Sequence, residues 1–336
     1  MPGRARRWRP VSGHSAVQET VKCPQRTGGP NGAARPRRWV LAAAAVLVVG
    51  GCLQETRVRP SATDPAITTF DTSHVVVRDP AVPARGRLFV FLPGSFGTPR
   101  GDEDVVREAA RAGLHAVGLT YPNGWTVHAL CAAVPEDPDC EEHVRREILD
   151  GVDRSDLVTV GRSDSIQQRL VRLLQHLDRE EPDAGWGAFL RGRSPRWRSI
   201  VVAGHSQGAG HAAMVARLHV VAGVVMFSSP SDTGPDGQPA GWLTGHHATP
   251  SDRYFGFVHV RDGSARILRS WEAIGVPGPP MVVDGRAPPY GGSHTLLTDV
   301  VTSGPHGSTV TDRWTPRRPD GTPAFGPVWR YLCCSG

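Results

Sequence analysis

Ser199-Ile200-Val201-Val202-Ala203-Gly204-His205-Ser206-Gln207-Gly208-Ala209-Gly210-His211-Ala212-Ala213 is the stretch from which the fold is read. Residues 199–203 are apolar and rich in β-branched side chains, which predicts a buried strand. Residues 207–218 follow at once and are dominated by small residues, which predicts a helix that packs closely. Between them Gly204, Ser206 and Gly208 fit the pattern G-x-S-x-G, a sharp strand-to-helix turn with a serine at its tip. Side chains at positions 204 and 208 would collide with the neighbouring backbone, so glycine is what fits. A glycine-rich turn without chemistry is the plain alternative. The strand in front and the helix behind weigh against it.

The same alternation extends outward. Residues 87–92 read as a buried strand stopped by Pro93-Gly94, 102–112 as a helix, and 115–119 as the next strand. Residues 163–177 have an N-cap serine, Ser163, and Ile166, Leu170, Leu173 and Leu174 at helical spacing. Residues 220–227 and 254–260 are two more strands, and 281–283 and 295–301 are the candidates for the last. Strands that alternate with helices imply parallel pairing and a mostly parallel central sheet with helices on both faces. Loops at 122–160 and 231–252 are placed to cap a site, where Tyr121, Trp125 and Trp242 could line an apolar pocket.

A serine in such a turn becomes a nucleophile only with partners. An oxyanion hole needs one N–H from the residue after the serine and one from the loop after an earlier strand. Gln207 supplies the first, and the loop Leu92-Pro93-Gly94-Ser95-Phe96-Gly97 supplies the second from Ser95 or Phe96. The acid belongs at the end of a later strand, which favours Asp262 after the 254–260 run, with Asp232 as its rival. The base follows it. His306 takes that role if 295–301 is the last strand, and His294 takes it if 281–283 is. His205 and His211 are expected to pack around the turn.

Together these residues resemble the α/β-hydrolase superfamily over residues 85–332. Residues 203–213, Phe227-Ser228-Ser229-Pro230 and Pro288-Pro289-Tyr290-Gly291-Gly292 are similar to a group of uncharacterised exported bacterial serine hydrolases. The resemblance implies a Ser-Asp-His order, an acyl-enzyme intermediate, cleavage of an ester-like bond in a small-molecule or lipid-like substrate, and no cofactor. An acyltransferase with the same triad and a non-catalytic surface binding protein on the same fold remain open alternatives.

Composition narrows the field further. The first 60 residues hold 11 Lys and Arg against 2 Asp and Glu, which leaves 27 basic and 30 acidic residues for 61–336. A slightly acidic body argues against nucleic acid as partner. Lys22 is the only lysine, so the body offers no Schiff base, Ser-Lys dyad or P-loop lysine. Arg35, Arg37 and Arg38 precede an uncharged apolar run, 39–49, too short for a membrane-spanning helix, which is the layout of an export signal. Val49-Gly50-Gly51-Cys52 resembles a bacterial lipobox, so membrane anchoring through a lipid on Cys52 stands beside simple cleavage. The expected division is 1–53 for export, 54–84 as a linker leading into the fold, and 85–336 as the hydrolase domain. Cys131, Cys140, Cys333 and Cys334 allow three pairings, of which Cys131 with Cys140 is the simplest. No cysteine and histidine spacing suggests a metal site, and nothing bears on oligomeric state.

Overall fold

A computed structural model describes residues 53–334. The expected export signal and Cys52 lie outside the described residues. Nine strands form one sheet: β1 (Gln54–Val58), β2 (His74–Arg78), β3 (Leu88–Leu92), β4 (His115–Gly118), β5 (Ile200–His205), β6 (Gly223–Phe227), β7 (Tyr254–His259), β8 (Met281–Val282) and β9 (Thr295–Thr298). Their spatial order is β1-β2-β4-β3-β5-β6-β7-β9-β8. β1 and β2 run antiparallel, as do β2 and β4; every other neighbouring pair is parallel. This is the mostly parallel sheet that the alternation of strands and helices predicts.

Alternation along the strands divides the core in two. In β3, Leu88, Val90 and Leu92 join one buried cluster while Phe89 and Phe91 join the other. On the first face lie α2 (Cys140–Asp150), α3 (Ile166–Glu180), α4 (Gln207–Leu218) and α5 (Ser264–Ile274), through Ile148, Leu173, Ala212 and Trp271 among others. On the second lie α1 (Glu103–Arg111) and α6 (Gly326–Cys334), through Val106 and Trp329. A strand buried on both faces must be apolar throughout, which is why β3, β5 and β6 read as continuous apolar runs.

The structure departs from the sequence expectations in three places. Residues 54–84, expected as a linker leading into the fold, themselves supply β1 and β2; in β2 the run His74-Val75-Val76-Val77 is buried against β4. Residues 122–160, expected as loop, contain a short helix at Val127–Cys131 and the three-turn α2, whose Val144, Ile148 and Leu149 form a buried stripe. The N-cap of α3 is Ser165, which accepts from the Gln168 N–H, and not Ser163. Cys131 and Cys140 form a disulfide across a separation of 9 residues and tie the short helix to the start of α2. A loop of that size contributes about 2–3 kcal/mol. Cys333 and Cys334 stand side by side at the end of α6.

Among the described glycines, the closest approaches of neighbouring backbone lie at the join of β5 and α4. A Cβ placed on Gly204 would strike the carbonyl group of Gly208, and one placed on Gly208 would strike the Leu92 carbonyl at the end of β3. Both obstacles are backbone, so no side chain can move aside. Gly208→Ala is expected to cost about 3 kcal/mol or more, by overpacking that nothing nearby can relieve. Denaturant unfolding checks this; a midpoint equal to that of the unsubstituted protein would show that α4 need not approach β3 so closely.

Candidate active site

The join of β5 and α4 strains the serine. Ser206 adopts φ 52° and ψ −123°, a conformation that costs a non-glycine residue on the order of 1–3 kcal/mol. Neighbouring backbone holds it there. The Ser206 N–H donates to the Phe227 carbonyl at 2.9 Å, and its own carbonyl accepts from Ala209 and Gly210 at 3.0 and 3.3 Å. Gln207 is the first residue of α4, so its N–H has no earlier turn to bond to and points out of the helix's positive end.

The loop after β3 comes up beside this turn. A Cβ at Gly94 would lie 3.2 Å from both the Ser206 Cβ and the His205 Nδ1, so glycine is what lets the two segments meet. Asn123 shapes the loop. Its Nδ2 donates to the Gly94 and Gly97 carbonyls at 2.7 and 2.9 Å, and its carbonyl accepts the Phe96 N–H at 2.8 Å. The Phe96 N–H is therefore spent, while that of Ser95 has no acceptor among the described residues. Ser95 Oγ donates to Gln207 Oε1 at 3.0 Å, which joins the two expected donors of the oxyanion hole through their side chains.

Asp262 and His306 are brought together beyond the carboxyl ends of β7 and β9, Asp262 from the turn after β7 and His306 from a one-turn helix, Pro305–Ser308. His306 Nδ1 lies 2.9 and 3.1 Å from the two Asp262 oxygens. With that nitrogen on the carboxylate, Nε2 is the one left for other work. The His306 carbonyl accepts from His205 Nε2 at 2.8 Å and from Ser228 Oγ at 3.0 Å, and the two imidazole rings are 4.8 Å apart. His205 thus links the residue before the serine to the backbone of His306. Burial, and then the nearby His306, push the His205 pKa down to about 4, so this link is made by a neutral ring at ordinary pH.

The rival candidates are engaged otherwise. His294 stacks on Phe255 near the start of β7, with Nδ1 3.1 Å from the Tyr254 carbonyl, at the opposite end of the strands from Ser206. Asp232 is buried, and both its oxygens accept from Arg145, each at 2.6 Å, while Trp242 Nε1 donates to one of them at 3.1 Å. Arg145 Nη1 also reaches the Gln207 carbonyl at 3.3 Å. Glu141, on the preceding turn of α2, has its pKa raised by burial and by the Asp232 charge. His211 is wholly buried edge-on to Tyr121 and stays neutral, chiefly because burial disfavours its charged form.

Two spaces adjoin here, one walled by Ser206 and the other by His306. One is a polar cavity of about 270 Å³, lined by Ser95, Thr126, Ser206, Gln207, Arg145 and Asp232 among others. The other is an open groove of about 730 Å³ along Asp262, His306, Arg261, Arg266 and Arg269. Ser231 lines both. Tyr121, Trp125 and Trp242, expected to line an apolar pocket, line neither space. Tyr121 is buried with its hydroxyl on the Pro93 carbonyl, Trp242 serves Asp232, and Trp125 packs edge-on against Phe70. The roles of Arg145, Asn123 and Ser228 were not legible in the sequence because each acts through a residue between 26 and 87 positions away, and no local pattern marks such a contact.

No family model matches this chain, and no curated protein matches it. Among solved structures it is similar to the acetyl xylan esterase from Paenibacillus sp. R4, with 14% identity, a TM-score of 0.34, and coverage of 74% of this chain and 78% of that one. It is also similar to a putative acetyl xylan esterase from Bacteroides fragilis NCTC 9343, with 14% identity, a TM-score of 0.30, and coverage of 78% of this chain and 68% of that one.

Proposed function

We propose that this chain is a serine hydrolase that cleaves a carboxylic ester through Ser206, His306 and Asp262. The observation that supports it most is the Asp262–His306 pair, anchored through the His306 carbonyl to the residue before a strained serine. In this mechanism His306 Nε2 takes the Ser206 proton as Oγ attacks the ester carbonyl, and the Ser95 and Gln207 N–H groups hold the oxyanion. The carbonyl then re-forms, the alcohol leaves with the proton from His306, and water repeats the sequence on the acyl-enzyme to release the acid. Asp262 orients the ring and stabilises its charged form without taking the proton. The amino-terminal segment suits an exported enzyme, either anchored through a lipid on Cys52 or released by simple cleavage.

The chemistry of the cavity wall limits the acyl group. An alkyl chain laid against the Arg145–Asp232 pair would strip water from buried charges and return nothing, a penalty that grows with chain length. A compact acyl group of a few carbons fits the volume and the polarity.

A fluorophosphonate probe is expected to label Ser206 and nothing else, and Ser206→Ala is expected to lose both labelling and about 10⁴–10⁶-fold in kcat. Folded protein that resists the probe would overturn the assignment. Asp262→Asn is expected to lower kcat about 10²–10⁴-fold while His294→Ala leaves it near the parent value; the reverse ranking would move the base to His294. Across a series of 4-nitrophenyl esters, kcat/KM is expected to be highest at acetate to butyrate and to fall by about tenfold or more by octanoate. A maximum at octanoate or longer would show that the cavity is not the acyl site.

A further inference from the structure

The cavity walled by Ser206 and the groove walled by His306, which share Ser231, offer a substrate two places, and the proton transfers say which part goes where. The leaving oxygen must lie within reach of the imidazole that protonates it, so the alcohol half of an ester departs on the His306 side. The acyl half lies toward Ser95 and Gln207. The alcohol half therefore occupies the open groove.

That groove is strongly basic within a body that is slightly acidic. Arg261, Arg266 and Arg269 line it, all three exposed, against the single carboxylate of Asp262, which His306 engages. Arg261 is partly committed, with Nη2 donating to the Thr302 carbonyl at 2.6 Å. Arg266 and Arg269 make no ion pair among the described residues. Arg57, Arg59, Arg107, Arg111, Arg154 and Arg317 meet carboxylates, while exposed arginines such as Arg100, Arg191 and Arg193 form no ion pair among the described residues, so it is their place in the groove with His306 that marks Arg266 and Arg269. Two adjacent turns of α5 thus present free guanidinium groups beside the proposed acid–base histidine. Guanidinium is the side chain best suited to a planar or tetrahedral oxyanion group, because its N–H fork can meet two oxygens at once.

Resting on the hydrolase mechanism proposed above, we infer that the substrate is an ester whose alcohol portion carries an anionic group, and that Arg266 and Arg269 recognise it. Hydrolysis of such an ester consumes one water and yields a short-chain acid and an anionic alcohol, with no other reactant required. Exposed charges are screened by salt, so the preference fades as ionic strength rises and the screening length falls to about 10 Å or less at 0.1 M.

The test compares three acetate esters on the full exported protein: those of 4-hydroxybenzoate, 4-hydroxybenzenesulfonate and, as neutral control, 4-hydroxybenzamide. The expected result is a kcat/KM for at least one anionic ester about 3–10-fold above the neutral one at low salt, shrinking toward equality at high salt. The carboxylate and sulfonate esters distinguish planar from tetrahedral anions. In the double variant R266A/R269A the ratio is expected to fall to about one, and in R266E/R269E to invert; both sites are exposed, and a thermal melt confirms the fold. Equal rates on neutral and anionic esters in the unsubstituted protein, or a preference that survives charge reversal, overturn the anionic substrate while leaving the hydrolase intact. No turnover of any of the three, together with no fluorophosphonate labelling, overturns both.

Discussion

The structure depends on one close approach. The chain leaves β5, turns through Ser206 with positive φ, and enters α4 so near the end of β3 that neither Gly204 nor Gly208 has room for a methyl group. Everything at the site takes its position from that contact. It brings the β3 loop to the serine, it aims the first N–H of α4 outward, and it places His205 where it can hold the His306 backbone. The strain at Ser206 persists because the sheet on one side and the helix on the other make relaxation more costly than the strain itself.

Around that turn the electrostatics separate by depth. Beneath the serine, Arg145 and Asp232 neutralise one another in full burial, with Trp242 and the Gln207 carbonyl completing their hydrogen bonds. Such a pair contributes little net stability, because desolvation cancels most of the attraction, but losing either partner would leave an uncompensated charge. Its work here is geometric, as it ties α2 and the loop after β6 to the first residue of α4. At the surface the charges are wet, unbalanced and basic. The proposed substrate spans the boundary, with its compact half against the buried pair and its charged half toward solvent.

Much of the fold was legible along the chain. The central strands are buried on both faces, so their sequences are unbroken apolar runs that hardly any other element would tolerate. Segments whose signal is weaker were not legible in the same way. β1 carries Glu55, Thr56 and Arg57 at a half-covered sheet edge, where no apolar alternation is required, and α2 is announced by only three apolar residues among charged ones. Asp262 and His306 were preferred on chain order and strand position. The alternatives Asp232 and His294 could not be set aside, since order along a chain does not say which strand lies beside which.

By itself the sequence determined the strand–turn–helix at Ser206, the alternation that makes a mostly parallel sheet, and the short list of acids and bases after it. These are local properties, written in periodicity and in positions where glycine alone fits. Only the tertiary structure decided that β9, not β8, lies against β7, which carries His306 to Asp262 and leaves His294 at the far end of the strands. It alone paired Arg145 with Asp232 across 87 residues and left Arg266 and Arg269 without an ion pair among the described residues. The physical reason is the same in each case: a contact between distant residues is set by how whole elements pack, and packing energy is not a property of any one segment.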